Sequence, residues 1–297
     1  MTMATPMRRI EHPGPVADQR NSVVAARVRR QDWLLPANTA ASTLRTTLTT
    51  ALAGSGAASA VLTLGSGKLF PFSHVMPALS TSPEHAVYFS ATFVADQPVQ
   101  LQCATVTLGW RGTTPWLHCH ATWAGADGRQ HTGHLLPDDV VLATPLQATA
   151  WLLDGAAFVV QADDETRFTL FQPVALPGTD HSASATGRPA LLVRLAPNED
   201  VCTALESICM QHGITRAQVR GGVGSTVGAV FDDGRCMRPF VTETLVHRGC
   251  VRPGPDGQPQ AKIDVSMVDH TGGQASGRLA RGRNAVLVTF ELVLEPD

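Results

Sequence analysis

The sequence predicts an α+β protein of two similar domains, each a mainly antiparallel β-sheet with one principal helix packed on it. Three observations predict this. Runs that alternate apolar and polar residues with a period of two, such as "AVYFSATF" and "VQLQCATVTLGW", recur along the chain and mark half-buried strands. Two stretches carry instead the apolar spacing of an amphipathic helix with a stop glycine behind it, Gly54 and Gly213. The order strand, helix, strand, meander, hairpin and closing strand occurs twice, an internal duplication. A chain of 297 residues that is 43% hydrophobic and 16% charged has the length for about two such domains and ample apolar material for their cores.

Residues 1–22 are rich in Pro, Arg and small residues and read as an N-terminal arm. The arm is either a plain leader or a strap that brings His12 and its arginines over a site or a neighbouring subunit. The first domain spans 23–172. It opens with a strand from Val23 to Asp32 and a helix from about Asn38 to Leu52 whose apolar face is Ala40, Leu44, Leu48 and Ala51. A buried strand, "SAVLTL", then runs into a Gly-Ser turn at Gly65-Ser66, and residues 86–110 supply two more strands. Residues 173–190 are Pro/Gly/Ser/Ala-rich, a linker by composition. The second domain, 191–297, repeats the order with a helix capped at Asn198, its face Val201, Ala204, Leu205, Ile208 and Cys209. "AQVRGGVGS" matches the earlier strand, placing a second Gly-Ser turn at Gly224-Ser225.

The chemistry concentrates in Trp116 to Pro137. His118 and His120 alternate with Cys119, so on a strand both imidazoles leave one face, roughly 7 Å apart. Ala124 to Gly128 is dense in turn residues, and Asp127-Gly128 is a strong hairpin signal. With Asp127 at the apex, His134 falls directly across from His120 on the same face, whereas a slip of one residue would send it to the other. Three neutral imidazoles converging with an open position are the ligand set of a catalytic zinc site. Chance pairing among eleven histidines, with the rings merely packed, is the plain alternative. His131, three residues from His134, faces the other way.

The stretch "WLHCHATWAGADGRQHTGHLLP" resembles the central motif of the plants-and-prokaryotes-conserved (PPC) domain, H-x-H followed by acidic-Gly and G-G-H-L, with Thr132 in place of the first glycine of G-G-H. "VRLAPNEDVCTALESICMQHG" is similar to the R-L-x-P-G-E-D helix start of the same family, so the resemblance covers about residues 23–297 as a tandem pair. The H-x-H plus G-H spacing is also similar to the metal site of acetolactate decarboxylase. The resemblance implies a divalent metal, usually zinc, on His118, His120 and His134, and a homotrimer with sites near its interfaces. It also brings "PFVTETLVHRG" near the hairpin, making Glu243 the candidate general acid/base and Arg238 and Arg248 candidate anion anchors. His74, Glu84 and Tyr88 are weaker candidates.

Aligning Gly133-His134-Leu135 with Gly277-Arg278-Leu279 sets Lys262, Asp264 and Arg278 where the first copy has its histidines. Two cations there would repel a dication. Either Asp264 forms an ion pair with Arg278 or Lys262, or these charges, Arg278 among them, meet the anionic end of a substrate.

The expected function is a metal-dependent enzyme acting on a small oxo- or hydroxy-carboxylate, as a decarboxylase, hydrolase or isomerase. The alternatives are a PPC-type DNA-binding or regulatory protein and a non-catalytic metal- or ligand-sensing scaffold. A net charge of −2 offers a poor surface for a polyanion, although the first 30 residues carry six arginines against Glu11 and Asp18. Arg281-Gly282-Arg283 is followed by Asn284 rather than the proline of an AT-hook. No stretch of 18 apolar residues predicts a membrane helix, and no signal-peptide core precedes Arg8 and Arg9. Six cysteines without a C-x-x-C pair fit a reduced, cytoplasmic setting.

Overall fold

Alternation, where it is long enough, folds as long strands, and strands dominate this chain. The computed structural model describes residues 7–38, 42–177 and 187–297. In chain order the elements are β1 (Asn21–Leu35), α1 (Leu44–Ser55), β2 (Ser59–Leu64), β3 (Gly67–Leu69), β4 (Ser73–Val75), β5 (Pro77–Leu79) and β6 (Val87–Phe89). They continue as β7 (Phe93–Val94), β8 (Val99–Arg111), β9 (Thr114–Ala124), β10 (Gln130–Leu135), β11 (Leu146–Asp154), β12 (Ala156–Ala162) and β13 (Thr169–Ala175). The remainder is β14 (Arg188–Leu195), α2 (Val201–Gln211), β15 (Ala217–Val230), β16 (Cys236–Pro253), β17 (Pro259–Asp269), β18 (Gln274–Arg278) and β19 (Val286–Pro296).

The α+β expectation is overturned: the fold is mainly antiparallel β. Among the described residues, 17 strands join by hydrogen bonds into one sheet network, β5 and β6 pair apart from it, and the helices number two, of 12 and 11 residues. The cause lies in β1, which runs three residues past its expected end. Its first part, Asn21 to Val28, pairs with β14, and its second, Arg27 to Leu35, pairs with β11. One strand therefore hydrogen-bonds to both parts of the chain, so two separate sheets do not form. A buried cluster around Leu62, Leu108 and Leu152 fills the first part and another around Leu205, Ile263 and Phe290 the second. A third, with Val28, Phe158, Leu192 and Val293, draws on both.

Helix α1 begins at Leu44 rather than near Asn38, because the Thr43 side chain accepts the Thr46 N–H as N-cap. Asn38 instead donates its backbone N–H to the Leu142 carbonyl. Leu44, Leu48 and Leu52 are the buried face and Gly56, at φ 70°, is the stop, while Ala40 lies outside the described residues. For α2 the cap is Asp200, not Asn198. One Asp200 oxygen accepts from the N–H groups of Thr203 (2.8 Å) and Gly282 (3.1 Å), and the other from Asn284 (2.8 Å). Asn198 sits at φ 66° and uses its side-chain amide to pair both backbone groups of Ile10 at 2.8 Å, pinning the arm. Three bonds to a buried carboxylate are worth more than an ordinary cap, so Asp200→Ala is expected to cost about 2–4 kcal/mol by urea unfolding. A loss under about 1 kcal/mol would show that water replaces all three.

Gly224-Ser225 is no turn: both residues lie inside β15, which bulges earlier, at Gly221 and Gly222 with φ 66° and 115°. A Cβ at Gly222 would stand 2.5 Å from Val246 Cγ2, so the strand bends where only glycine fits. Of residues 173–190, Pro173 to Ala175 belong to β13 and 188–190 to β14, and 178–186 lie outside the described residues. Residues 7–20 run across both parts of the chain. His12 is buried and donates from Nε2 to the Leu287 carbonyl at 2.7 Å, and Arg20 pairs with Glu165 at 2.6 Å.

Candidate metal centre

The β9–β10 hairpin closes in the register that an Asp127 apex demands, with His120 opposite His134 and Gln130 opposite Ala124. His118 and His120 leave the same face of β9, and one nitrogen from each of the three rings lies within 4.8 Å of the others. His120 Nε2 is 3.1 Å from His118 Nε2 and 3.2 Å from His134 Nδ1. The His118–His120 contact is not a hydrogen bond between the rings. His118 Nδ1 donates to Glu291 Oε2 at 3.0 Å and His120 Nδ1 to the Thr244 carbonyl at 2.8 Å, so in the neutral rings both Nε2 atoms carry bare lone pairs. Lone pairs packed this closely repel unless a cation lies between them. Tetrahedral zinc with bonds of about 2.0–2.1 Å sets its nitrogens roughly 3.4 Å apart, close to what is seen.

Burial keeps His120 and His134 neutral. It pushes the His120 pKa well below the usual range, helped by its two imidazole neighbours, and the His134 pKa down to about 3, helped by His118. Neutral imidazole is the ligating form. Across from the triad, Glu243 Oε1 stands 3.9 Å from His120 Nε2 and 3.8 Å from His134 Nδ1. Burial raises its carboxyl pKa to about 8, and its Oε2 has no partner. A donor set of three imidazoles, one buried and two half-buried, with an orphaned carboxyl oxygen beside it, fits a divalent ion; the identity of the ion is not fixed by these residues.

The centre lies in a cavity of about 450 Å³. Its walls come from both parts of the chain: Arg45, Arg111 and Trp116 from the first, Glu243, Thr289 and Glu291 from the second. The arginines expected from sequence are not among the lining residues. Arg238 sits on β16 away from the cavity, its carbonyl accepting from Arg8 at 2.6 Å. Arg248 and Arg278 both pair with Asp264, at 3.5 and 2.9 Å, and Lys262 stands across the ladder from Cys250. Asp264 and Arg278 face one another across β17–β18 as His120 and His134 do across β9–β10, so an ion pair stands at that position. Of the weaker candidates, Tyr88 lines the cavity. His74 packs between Phe93 and Trp123, its pKa brought down to about 4 by burial, and Glu84 is an exposed turn residue.

Sequence reasoning missed Glu291, which is 1% exposed and holds the His118 tautomer. A carboxylate inside the otherwise apolar run "AVLVTFELVL" was the signal, since such a group is buried only when it has a partner. Arg194, also buried, lends it positive charge and is itself paired with Asp163 at 3.0 Å.

No family model matches the chain, and no curated protein does. Among solved structures, a PPC protein from Pyrococcus horikoshii is 14% identical, with 55% of this chain and 100% of that one covered at a TM-score of 0.39. A metal-containing protein from Archaeoglobus fulgidus is 16% identical, with 48% and 92% covered at 0.37. A putative DNA-binding protein from Ralstonia eutropha is 14% identical, with 51% and 96% covered at 0.35. Neighbours of this kind span about half of the chain, and at these TM-scores the functional reading rests on the chain's own residues. Among the described residues no helix is long and apolar enough to cross a membrane.

Proposed function

We propose that the chain is a metal-dependent enzyme, with zinc as the ion, acting on a small oxo- or hydroxy-carboxylate in a decarboxylation, hydrolysis or isomerisation. The observation that carries this reading is the Glu243 carboxyl, buried and half-unpartnered, less than 4 Å from two of the three converged imidazole nitrogens. An ion held by His118, His120 and His134 would supply a Lewis acid that polarises a carbonyl or acidifies water. Glu243 is then placed to hand over or accept a proton at the same spot, protonated below about pH 8 and ionised above it in the metal-free protein. Glu291 and the Thr244 carbonyl keep two of the imidazoles in the ligating tautomer throughout.

The first test is metal content. Protein purified without added metal is expected to carry about one ion per chain, and His118→Ala/His120→Ala to carry none. A wild type that stays empty after exposure to zinc, manganese and iron would sink the reading. Chelation that abolishes turnover of a small oxo acid would separate an enzyme from a sensing scaffold. With this reading go a tandem pair of PPC-like units joined through 173–190, a homotrimer and a cytoplasmic setting. DNA binding is the alternative, and two solved neighbours are titled putative DNA-binding proteins. The net charge of −2 speaks against it, and an affinity for DNA that falls steeply with salt would speak for it.

A further inference from the structure

The cavity has built chemistry beyond its histidine floor. Trp116 lies two residues before His118 on β9, so its indole leaves the same face about 7 Å further along the strand. The guanidinium carbon of Arg111 lies 3.5 Å from the centre of that indole and that of Arg45 4.3 Å from it. The two cations differ in company. Arg45 is neutralised by both oxygens of Asp138, at 2.5 and 2.6 Å, and also donates to the Pro115 carbonyl. Arg111 has no carboxylate partner among the described residues and donates only to Thr169 Oγ1, at 3.5 Å. Another part of the wall is aromatic. Tyr88 and Phe89 are 49% and 41% exposed; the Tyr88 ring stacks on Phe168 at 5.8 Å, and Phe89 meets His134 edge-on at 5.2 Å. Uncovered rings in a cavity of about 450 Å³ fit a planar body larger than a short aliphatic acid.

On the metal-dependent reading, we propose that the cavity selects an aromatic carboxylate. Its carboxylate rests on Arg111, its ring lies against the Tyr88–Phe89 wall, and its carbonyl-bearing end points to the three imidazoles. Arg111 is the specificity determinant, because a guanidinium stacked on an indole and lacking a counter-ion is preorganised for a planar carboxylate. With Trp116 about 7 Å along β9 from His118, a ligand that touches both the Arg111 guanidinium and the imidazoles needs a body about as long as a benzene ring with a group at each end.

The test uses whole protein, as purified and after loading with cobalt, with metal content measured first. Each form is titrated with para-acetylbenzoate, its methyl ester and pyruvate, following tryptophan fluorescence and, where cobalt is bound, its visible absorption. Para-acetylbenzoate is expected to bind at least about tenfold more tightly than the ester or pyruvate, and Arg111→Gln to erase the preference for acid over ester with metal content unchanged. Equal binding of acid and ester by the wild type, equally tight binding of pyruvate, or a preference that survives Arg111→Gln would overturn the proposal. A wild type that takes up no cobalt would overturn the metal-dependent reading instead. The preference for acid over ester, and its loss in the Arg111 variant, remain readable in that metal-free protein.

Discussion

In the metal-free protein, Glu243→Gln is expected to gain about 2 kcal/mol of stability on the wild type as pH rises from 6.5 to 8. The sign follows from where the proton sits. The unfolded carboxyl ionises near 4.5, whereas burial holds the folded one protonated to about 8, so across that window the native state keeps a proton that the unfolded chain has lost. Stability then falls by ~1.4 kcal/mol per pH unit as pH rises. Below 6.5 the buried histidines act in the other direction. The folded His134 stays neutral to about pH 3, the unfolded ring takes up a proton, and stability falls with acid. The histidines titrate alike in wild type and variant, so the difference between the two isolates Glu243. Gln keeps the shape and removes the ionisation, so in urea unfolding the wild-type line should fall away from the variant's across this interval. Parallel lines would show that the carboxyl is solvated and is no poised acid.

Glu291→Ala is expected to weaken metal binding 10- to 100-fold with all three ligands intact. The carboxylate fixes His118 with Nδ1–H turned away and the Nε2 lone pair turned inward, and a negative charge behind a ligating imidazole strengthens its hold on a cation. Competition against a chromophoric chelator gives the affinity. Glu291→Gln separates the two contributions, since its amide oxygen can accept the same bond without the charge. An affinity unchanged in both variants would mean that His118 is oriented by packing alone.

The hairpin was legible because two local rules agree on it: period-two alternation puts His118 and His120 on one face, and the Asp127-Gly128 turn fixes which residue meets His120. Nothing local could place Glu291, which comes 173 positions after His118 in a strand that reads as pure core. The arginines expected from sequence lie outside the cavity lining for a related reason. Arg248 and Arg278 have a nearer carboxylate in Asp264, and a paired guanidinium is not free to anchor a substrate, whereas Arg111 owes its place to an indole that spacing rules do not register. The helices were recognisable, but capping decided their starts at Thr43 and Asp200, each a residue whose side-chain oxygen reaches an N–H three positions on. The fold class went astray on pairing between distant segments. Two short helices do not offset strands of 11 to 18 residues, and no motif announces that β1 will bond to two partners.

That double bonding bears on how the centre keeps its dimensions. The imidazoles ride on the hairpin, while Glu243 and Glu291 ride on β16 and β19, so every distance from imidazole to carboxylate spans the boundary between the two parts of the chain. A hinge there would let the carboxylates drift from the rings. β1 acts as a splice across that boundary, bonded to β11 on one side and to β14 on the other, and β14 passes the constraint on to β19. The two walls of the cavity are girders of one frame, and among the described residues the small β5–β6 ribbon bearing Tyr88 and Phe89 is the pair of strands that this frame holds by side-chain packing, through Val87 on Val241 and Leu287, rather than by its ladder of hydrogen bonds.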